Sequence, residues 1–145
     1  FVIERVIQLV AKSLNLEKDV TIAVIDIGSV LTNMTVIQDY QTIFSREEVF
    51  GGEQLTKEIQ RHYGLSYPEA GLAKKMGTLP DDYVSEILTP FRETAVIQVK
   101  RALQFFSSSM DGIDIDHLFL AGGTASIPGL VELIESQTEI PTTLM

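Results

Sequence analysis

The hydrophobic pattern of this 145-residue chain changes its period at Gly51-Gly52. Three segments before the glycine pair are rich in β-branched side chains and too short for typical helices, which predicts strands over residues 20–26, 32–38 and 41–50. The polar link between the second and third segments is short enough for a hairpin. We therefore expect three antiparallel strands before Gly51.

After the glycine pair, apolar side chains recur at the spacing of helices. Leu55, Ile59 and Tyr63 follow one another at four-residue steps, and Gly64 can end that helix in a left-handed conformation. A second helix is predicted from Tyr67 to Met76, before another glycine. This part of the chain is therefore expected to be helical.

Two prolines divide the rest of the helical region. A third helix is predicted after Pro80, where Asp81 and Asp82 suit the positive helix N-terminus. Pro90 is expected to interrupt that helix, because proline is tolerated in a first turn but not in a helix interior. Thr89-Pro90 would then begin a new helix, the longest of the chain.

The final part of the sequence returns to a strand followed by a helix. Residues 117–121 predict a short buried strand, Gly122-Gly123 turns it, and a helix carries Leu130 and Ile134. The element order indicates an α/β fold in which helices pack on a mixed sheet, with a helical insertion over about residues 51–109. Residues 1–19, which begin with an amphipathic helical pattern, are expected to be a terminal helix and linker from a preceding domain.

Composition excludes several classes of function. Acidic residues outnumber basic ones by 20 to 11, and a net charge of −9 disfavours a nucleic-acid partner. The chain has no cysteine, which suits a reducing cytosol, and no apolar run of the roughly 20 residues that a membrane helix needs.

His62 and His117 lack partners at metal-ligand spacing, so we interpret both as structural. Because Phe1 already lies within a helical pattern, we expect a longer protein.

The segment Ile25–Val36 has the composition of a phosphate-binding turn. A buried strand ends at Asp26, turns at Gly28 and resumes after Thr32. Small side chains at Gly28 and Ser29 allow backbone amides to approach a phosphate, and Thr32 can add a hydroxyl donor. Asp26 is placed to hold the water shell of a metal ion. The alternative is a tight hairpin whose carboxylate at the strand end faces solvent.

The segment Leu120–Leu130 is a second candidate for ligand binding. Its glycine pair, Gly122-Gly123, follows a strand and precedes a helix, so a flat base and ribose could lie against bare backbone. Backbone amides at the helix start, together with Thr124 and Ser126, offer donors to a ribose or phosphate. The alternative is a structural strand-to-helix turn in which Ser126 caps the helix.

A third pair of segments, Gly51–Ile59 and Glu69–Gly77, is not diagnostic by itself. Lys74 and Lys75 in the second segment more often form a solvated helix face than a ligand contact.

Taken together and in this order, these segments resemble the second domain of the actin, chaperone and sugar-kinase superfamily. Three runs, FGGEQLTKEIQRHYGLSYPEAGLAKKMGTLPDDY, RALQFFSSS and LAGGTASIPGL, are similar to the PilM family of type IV pilus assembly proteins, and the similarity covers about residues 20–145. The resemblance implies an actin-like ATPase domain with a ribonuclease H-like mixed sheet. Residues 20–50 and 110–145 would form the nucleotide-binding subdomain IIA, and residues 51–109 the inserted helical subdomain IIB.

The resemblance also implies how each segment would bind ATP and magnesium. Asp26 would act through water on the magnesium ion, and Lys74 would flank the base. The β- and γ-phosphates would be faced by Gly28, Ser29 and Thr32, and the adenosine would be lined by Gly122, Gly123 and Thr124. A ribose-binding glutamate, common in chaperone-type members, would fall at Glu69 or Ala70, which puts the ribose contact in doubt.

The function implied by the resemblance is an ATP-binding, actin-like scaffold of the type IV pilus inner-membrane complex, with a role in twitching motility. It would lie in the cytoplasm at the inner-membrane face, reach the membrane only through partners, and hydrolyse ATP slowly or not at all. Its partners would be other pilus assembly proteins and the N-terminal tail of PilN, bound mainly by a first domain outside this chain, so this chain alone is not expected to be active. The alternatives are a small-molecule kinase of the same superfamily and a filament-forming relative similar to FtsA.

Overall fold

The computed structural model describes residues 20–145, and the terminal helix and linker predicted for residues 1–19 lie outside them. Within the described residues, five strands form one mixed sheet in the order β3-β2-β1-β4-β5. They are β1 (Thr21–Ile27), β2 (Thr32–Gln38), β3 (Gln41–Glu48), β4 (His117–Ala121) and β5 (Thr142–Leu144). The first three strands are antiparallel neighbours, as predicted, whereas β4 runs parallel to β1 and β5 runs parallel to β4.

Four α-helices follow the predicted order. They are α1 (Gly52–Tyr63), α2 (Tyr67–Met76), α3 (Thr89–Ser109) and α4 (Leu130–Thr138). Gly64 and Gly77 end α1 and α2 with φ values of 67° and 68°, in the left-handed region that glycine enters without steric cost. The ends predicted for these two helices from glycine are therefore confirmed.

The new helix predicted to begin at Thr89-Pro90 is confirmed as α3, the longest helix of residues 20–145, but no break in the chain's helical path precedes it. A π-helical turn over Val84–Leu88 continues directly into α3, with Leu88 and Thr89 both in the right-handed helical conformation. The N–H of Thr89 donates to the carbonyl of Val84, five residues earlier. Pro90 has no N–H to donate to a carbonyl of the preceding turn, and the wider π turn accommodates that missing hydrogen bond, so the chain passes into α3 without a break.

Two segments near the sheet also differ from the sequence-based expectation. The third strand ends at Glu48 rather than at Phe50, because the Phe50 ring turns into the core and stacks on Phe91 with 5.4 Å between ring centroids. The strand β5 was not predicted, since Thr142–Leu144 is short and mostly polar. Its backbone pairing with β4 makes it a strand.

One hydrophobic core joins the sheet to the helices. It contains Ile25 and Ile27 of β1, Phe106 of α3 and Ile134 of α4, and a smaller buried cluster on the other face of the sheet includes Val24. Since α3 shares this core with the sheet, the two predicted subdomains are packed together, and the boundary between them stays a prediction. Among the helices of residues 20–145, none has the length and hydropathy to span a bilayer.

Candidate functional site

The turn between β1 and β2 is held by backbone hydrogen bonds. Gly28 N–H donates to the Leu31 carbonyl across the turn, at 2.9 Å. The carbonyls of Gly28 and Ser29 accept from the N–H groups of Gly52 and Glu53, at 3.0 and 2.8 Å. The first amides of α1 therefore fix the turn through its carbonyls. Within residues 20–145, the amides of Ser29 and Val30 donate no hydrogen bond, so they are available to a ligand.

The close approach of α1 to this turn requires the glycine pair at the helix start. A Cβ added at Gly51 would collide with the backbone of Ser29, and one added at Gly52 would lie 2.6 Å from the Thr124 Oγ1. Sequence reasoning treated this segment as not diagnostic. The glycine pair at the change of hydrophobic period was the available signal, because two glycines allow a helix N-terminus to lie against bare backbone.

The two glycines after β4 have different surroundings. Gly122 has a φ of 91°, and an added Cβ would collide with the Ile27 carbonyl and with Asp26 Oδ1. Gly122 therefore allows the end of β4 to lie beside Asp26. An added Cβ at Gly123 would meet no atom within 4 Å, so the fold itself leaves open space there.

A cavity of about 730 Å³ opens between the 28–29 turn, the start of α1, one face of α2 and the chain after β4. The predicted site residues that line it are Gly28, Ser29, Lys74, Gly123, Thr124 and Ser126. Asp26, Thr32 and Gly122 are not among the lining residues. Two residues of the turn between β1 and β2, most of the second glycine motif and a lysine of α2 are thus brought together.

Thr32 and Asp26 lie in the strands on either side of the turn between β1 and β2, and their side chains differ in hydrogen bonding. The Thr32 hydroxyl is buried and donates to the Phe50 carbonyl at 2.8 Å, which ties β2 to the chain entering α1. Its hydrogen is therefore engaged in a structural contact, and the phosphate role of Thr32 stays a prediction. The half-buried Asp26 carboxylate has no hydrogen bond or ion pair within residues 20–145.

The hydroxyls of the second glycine motif are engaged as well. Thr124 donates to the Gly28 carbonyl at 3.0 Å, and Ser126 donates to the Gly123 carbonyl at 2.9 Å. A ligand would meet these oxygens as acceptors. Ser126 does not cap a helix, because the turn over Gly123–Ser126 is a 3₁₀ turn and Gly129 occupies the N-cap of α4.

Lys74 carries positive charge to the wall of the cavity. Its Nζ donates to the Thr56 hydroxyl at 2.7 Å, and it forms no ion pair with a carboxylate of residues 20–145. Burial lowers the pKa of Lys74 from its ordinary value. A half-buried ammonium without a counter-charge favours an anionic ligand. Lys75 also lines the cavity but is exposed, as expected for a solvated lysine.

The remaining cavity walls include residues that sequence reasoning missed. The two positions at which a ribose-binding glutamate would fall do not line the cavity, because Glu69 lines a separate groove and Ala70 is fully buried. The carboxylate that does line the cavity belongs to Glu53 of α1, and Tyr67 and Tyr83 add aromatic surface. The positions of these three side chains depend on which faces of the helices pack together. The local sequence does not reveal those faces.

The described residues contain no group of three or more histidine, cysteine, aspartate and glutamate side chains arranged to hold a metal ion. His62 lies 3.6 Å from an Asp82 carboxylate oxygen, and His117 contacts the Thr143 hydroxyl at 2.8 Å.

Comparison with known proteins decides the family. A family model for the type IV pilus assembly protein PilM matches residues 1–145. The chain belongs to the PilM family. Its similarity to a PilM–PilN type IV pilus biogenesis complex has a TM-score of 0.80 at 20% identity, covering 94% of this chain and 38% of that one.

Other relatives of this PilM-family chain have actin-like folds. MreB 5 of Spiroplasma citri, solved bound to AMPPNP, matches with a TM-score of 0.67 at 16% identity, over 94% of this chain and 51% of that one. The cell division protein FtsA of Enterococcus faecalis is 30% identical over 82% of this chain and 32% of that protein. The chain thus spans about a third of the length of this curated relative, and the predicted actin-like ATPase fold is confirmed.

Proposed function

We propose that this chain is the nucleotide-binding part of an ATP-dependent scaffold in type IV pilus assembly. The observation that carries the proposal is the cavity that the half-buried Lys74, the 28–29 turn and the open backbone at Gly123 line together. An ammonium, the unpaired amide of Ser29 and bare backbone in one cavity suit a ligand with an anionic tail and a flat body. A nucleoside triphosphate has both.

The cavity residues suggest how Mg-ATP would be held. The unpaired amides of Ser29 and Val30, with Lys74, would bind phosphate oxygens, and Gly123 would leave room for the adenosine. The free Asp26 carboxylate would hold magnesium through its waters, because magnesium retains several waters in most protein sites. The metal would supply charge neutralisation of the phosphates.

A scaffold role is favoured over phosphoryl transfer. Among the acidic side chains of residues 20–145, Glu53 alone lines the cavity, and it has Lys57 as a salt-bridge partner at 3.5 Å. A kinase needs a carboxylate base beside its acceptor hydroxyl. We therefore propose slow or no hydrolysis, with ATP stabilising one arrangement of subdomain IIA (residues 20–50 and 110–145) and subdomain IIB (residues 51–109).

The proposed partners follow from the family and from one structural neighbour. That neighbour was solved as a PilM–PilN complex, so we propose the PilN N-terminal tail as a partner of the full-length protein, together with other pilus assembly proteins. The proposed location is the cytoplasmic face of the inner membrane, reached through these partners. The net charge of −9 disfavours nucleic acid.

The test is calorimetry of the full-length protein with Mg-ATP, combined with a PilN tail peptide and a scan for ATP-dependent phosphorylation of sugars and small acids. We expect binding of both ligands and no rapid transfer. Rapid phosphorylation of any acceptor would replace the scaffold with a kinase. Sedimentation with ATP tests the filament alternative, which would appear as ATP-dependent pelleting.

A further inference from the structure

One face of α2 points into the cavity along its whole length. Tyr67, Gly71, Lys74 and Lys75 all line the cavity, and their spacing of four, seven and eight residues places them on a single helix face. The other side of the helix faces elsewhere, since Leu72 and Ala73 line a separate groove with Glu69. The cavity face of α2 therefore consists of a tyrosine, a glycine and two lysines.

Gly71 is unusual on this face because nothing in the fold requires a glycine there. It lies inside a helix, where glycine is less favourable than every residue except proline. A Cβ added at Gly71 would meet no atom within 4 Å, so no neighbouring atom excludes a side chain. Gly51, Gly52 and Gly122, by contrast, are each required by close contacts. The open space at Gly71 belongs to the cavity.

We infer that Gly71 admits the nucleoside by keeping the α2 wall bare, so that the flat nucleoside part of the ligand lies against the helix backbone between Tyr67 and Lys74. This inference rests on the proposed function, namely that the cavity binds a nucleotide. A side chain at position 71 would occupy the nucleoside space and leave the 28–29 turn unchanged. A larger residue at position 71 would therefore weaken the binding of nucleoside triphosphates and spare ligands that present phosphates alone.

The test uses Gly71→Leu and Gly71→Ala in the full-length protein, with Mg-ATP and magnesium tripolyphosphate as probes in calorimetry. We expect Gly71→Leu to weaken Mg-ATP binding by about tenfold or more while tripolyphosphate affinity changes by less than about twofold. Gly71→Ala removes a helix-interior glycine, so we expect its melting temperature to rise by about 2 °C as its Mg-ATP affinity falls. A residue with only a structural role would not produce these opposite changes.

The matched control is Ala73→Leu, which enlarges a side chain on the same helix but lines the separate groove. Its Mg-ATP affinity should equal that of the wild type. If the wild type binds Mg-ATP and both Gly71 variants bind it equally well, the inference is wrong and the nucleotide site stands. If the wild type binds Mg-ATP no more tightly than it binds magnesium tripolyphosphate, both proposals fail. Should Gly71→Leu not fold, the Gly71→Ala measurement decides.

Discussion

The Lys74 ammonium donates a 2.7 Å hydrogen bond to the Thr56 hydroxyl and so joins the last turn of α2 to α1. The Thr56 hydroxyl in turn donates to the Gly52 carbonyl, at 3.3 Å. Because Gly52 also donates its N–H to the Gly28 carbonyl, a continuous set of hydrogen bonds runs from the lysine to the phosphate turn. An anion bound at Lys74 would therefore be linked through hydrogen bonds to both helices and to the turn.

The charge of Lys74 leads to a prediction about pH. Burial lowers the pKa of Lys74, so the ammonium loses its proton at a lower pH than an exposed lysine, whose pKa is about 10.4. An anionic ligand prefers the charged form. Mg-ATP affinity should therefore be highest below the lowered pKa and should fall as pH rises through it. Calorimetry across the alkaline range measures this dependence.

Lys74→Met should weaken Mg-ATP binding by about tenfold and remove the alkaline dependence. Lys75→Met is the matched control, because Lys75 lines the same cavity but is exposed, and its effect should be smaller. An alkaline profile that is identical in wild type and Lys74→Met would contradict the assignment of the charge to Lys74.

The glycine pair after β4 predicts opposite effects of the same substitution. Gly123→Val should abolish Mg-ATP binding in the full-length protein with little change in stability, because an added Cβ meets no protein atom within 4 Å. Gly122→Val should destabilise the fold by about 2 kcal/mol or more, since a β-branched residue is strained at a φ of 91° and collides with the Ile27 carbonyl. Thermal unfolding and calorimetry of both variants distinguish these effects, and unchanged ATP affinity in folded Gly123→Val would remove the adenosine assignment.

Gly51 is predicted to be required for the position of the phosphate turn. Gly51→Ala places a Cβ against the backbone of Ser29, where neither partner is a flexible side-chain end, so α1 must move away from the turn. We expect a loss of about 1–3 kcal/mol in the free energy of unfolding and weaker Mg-ATP binding. Gly71→Ala serves as the stability control, because its Cβ enters open space. Equal stability of the two variants would refute the steric role of Gly51.

Asp26 is predicted to act on the metal and not on a second substrate. Asp26→Ala in the full-length protein should weaken Mg-ATP binding and pilus assembly together, because the free carboxylate would hold the waters of the magnesium ion. Nucleotide binding measured without magnesium should change little. In a kinase the same variant could retain much of its ATP affinity while losing phosphoryl transfer by orders of magnitude. The decisive pair of measurements is affinity with and without magnesium, beside an acceptor scan.

Local chemistry accounts for what could be predicted from this sequence. The β-branched runs, the glycine caps at Gly64 and Gly77 and the two turn motifs act over a few residues, so element order and type were predicted well. Membership of the PilM family and the actin-like fold were predicted because those motifs recur in a characteristic order. The nucleotide roles of the site residues stay predictions.

Long-range contacts decided the rest. The Thr124 hydroxyl reaches a carbonyl 96 positions earlier, at Gly28, and this contact between chain segments cannot be inferred from either segment alone. The same holds for β5, whose polar residues form a strand only because the edge of β4 offers unpaired backbone groups. Which side of α2 faces the cavity also depended on its packing, so Gly71 rather than Glu69 lines the site. Residue types set the local conformation, whereas the packing of distant segments against one another determined which side chains meet.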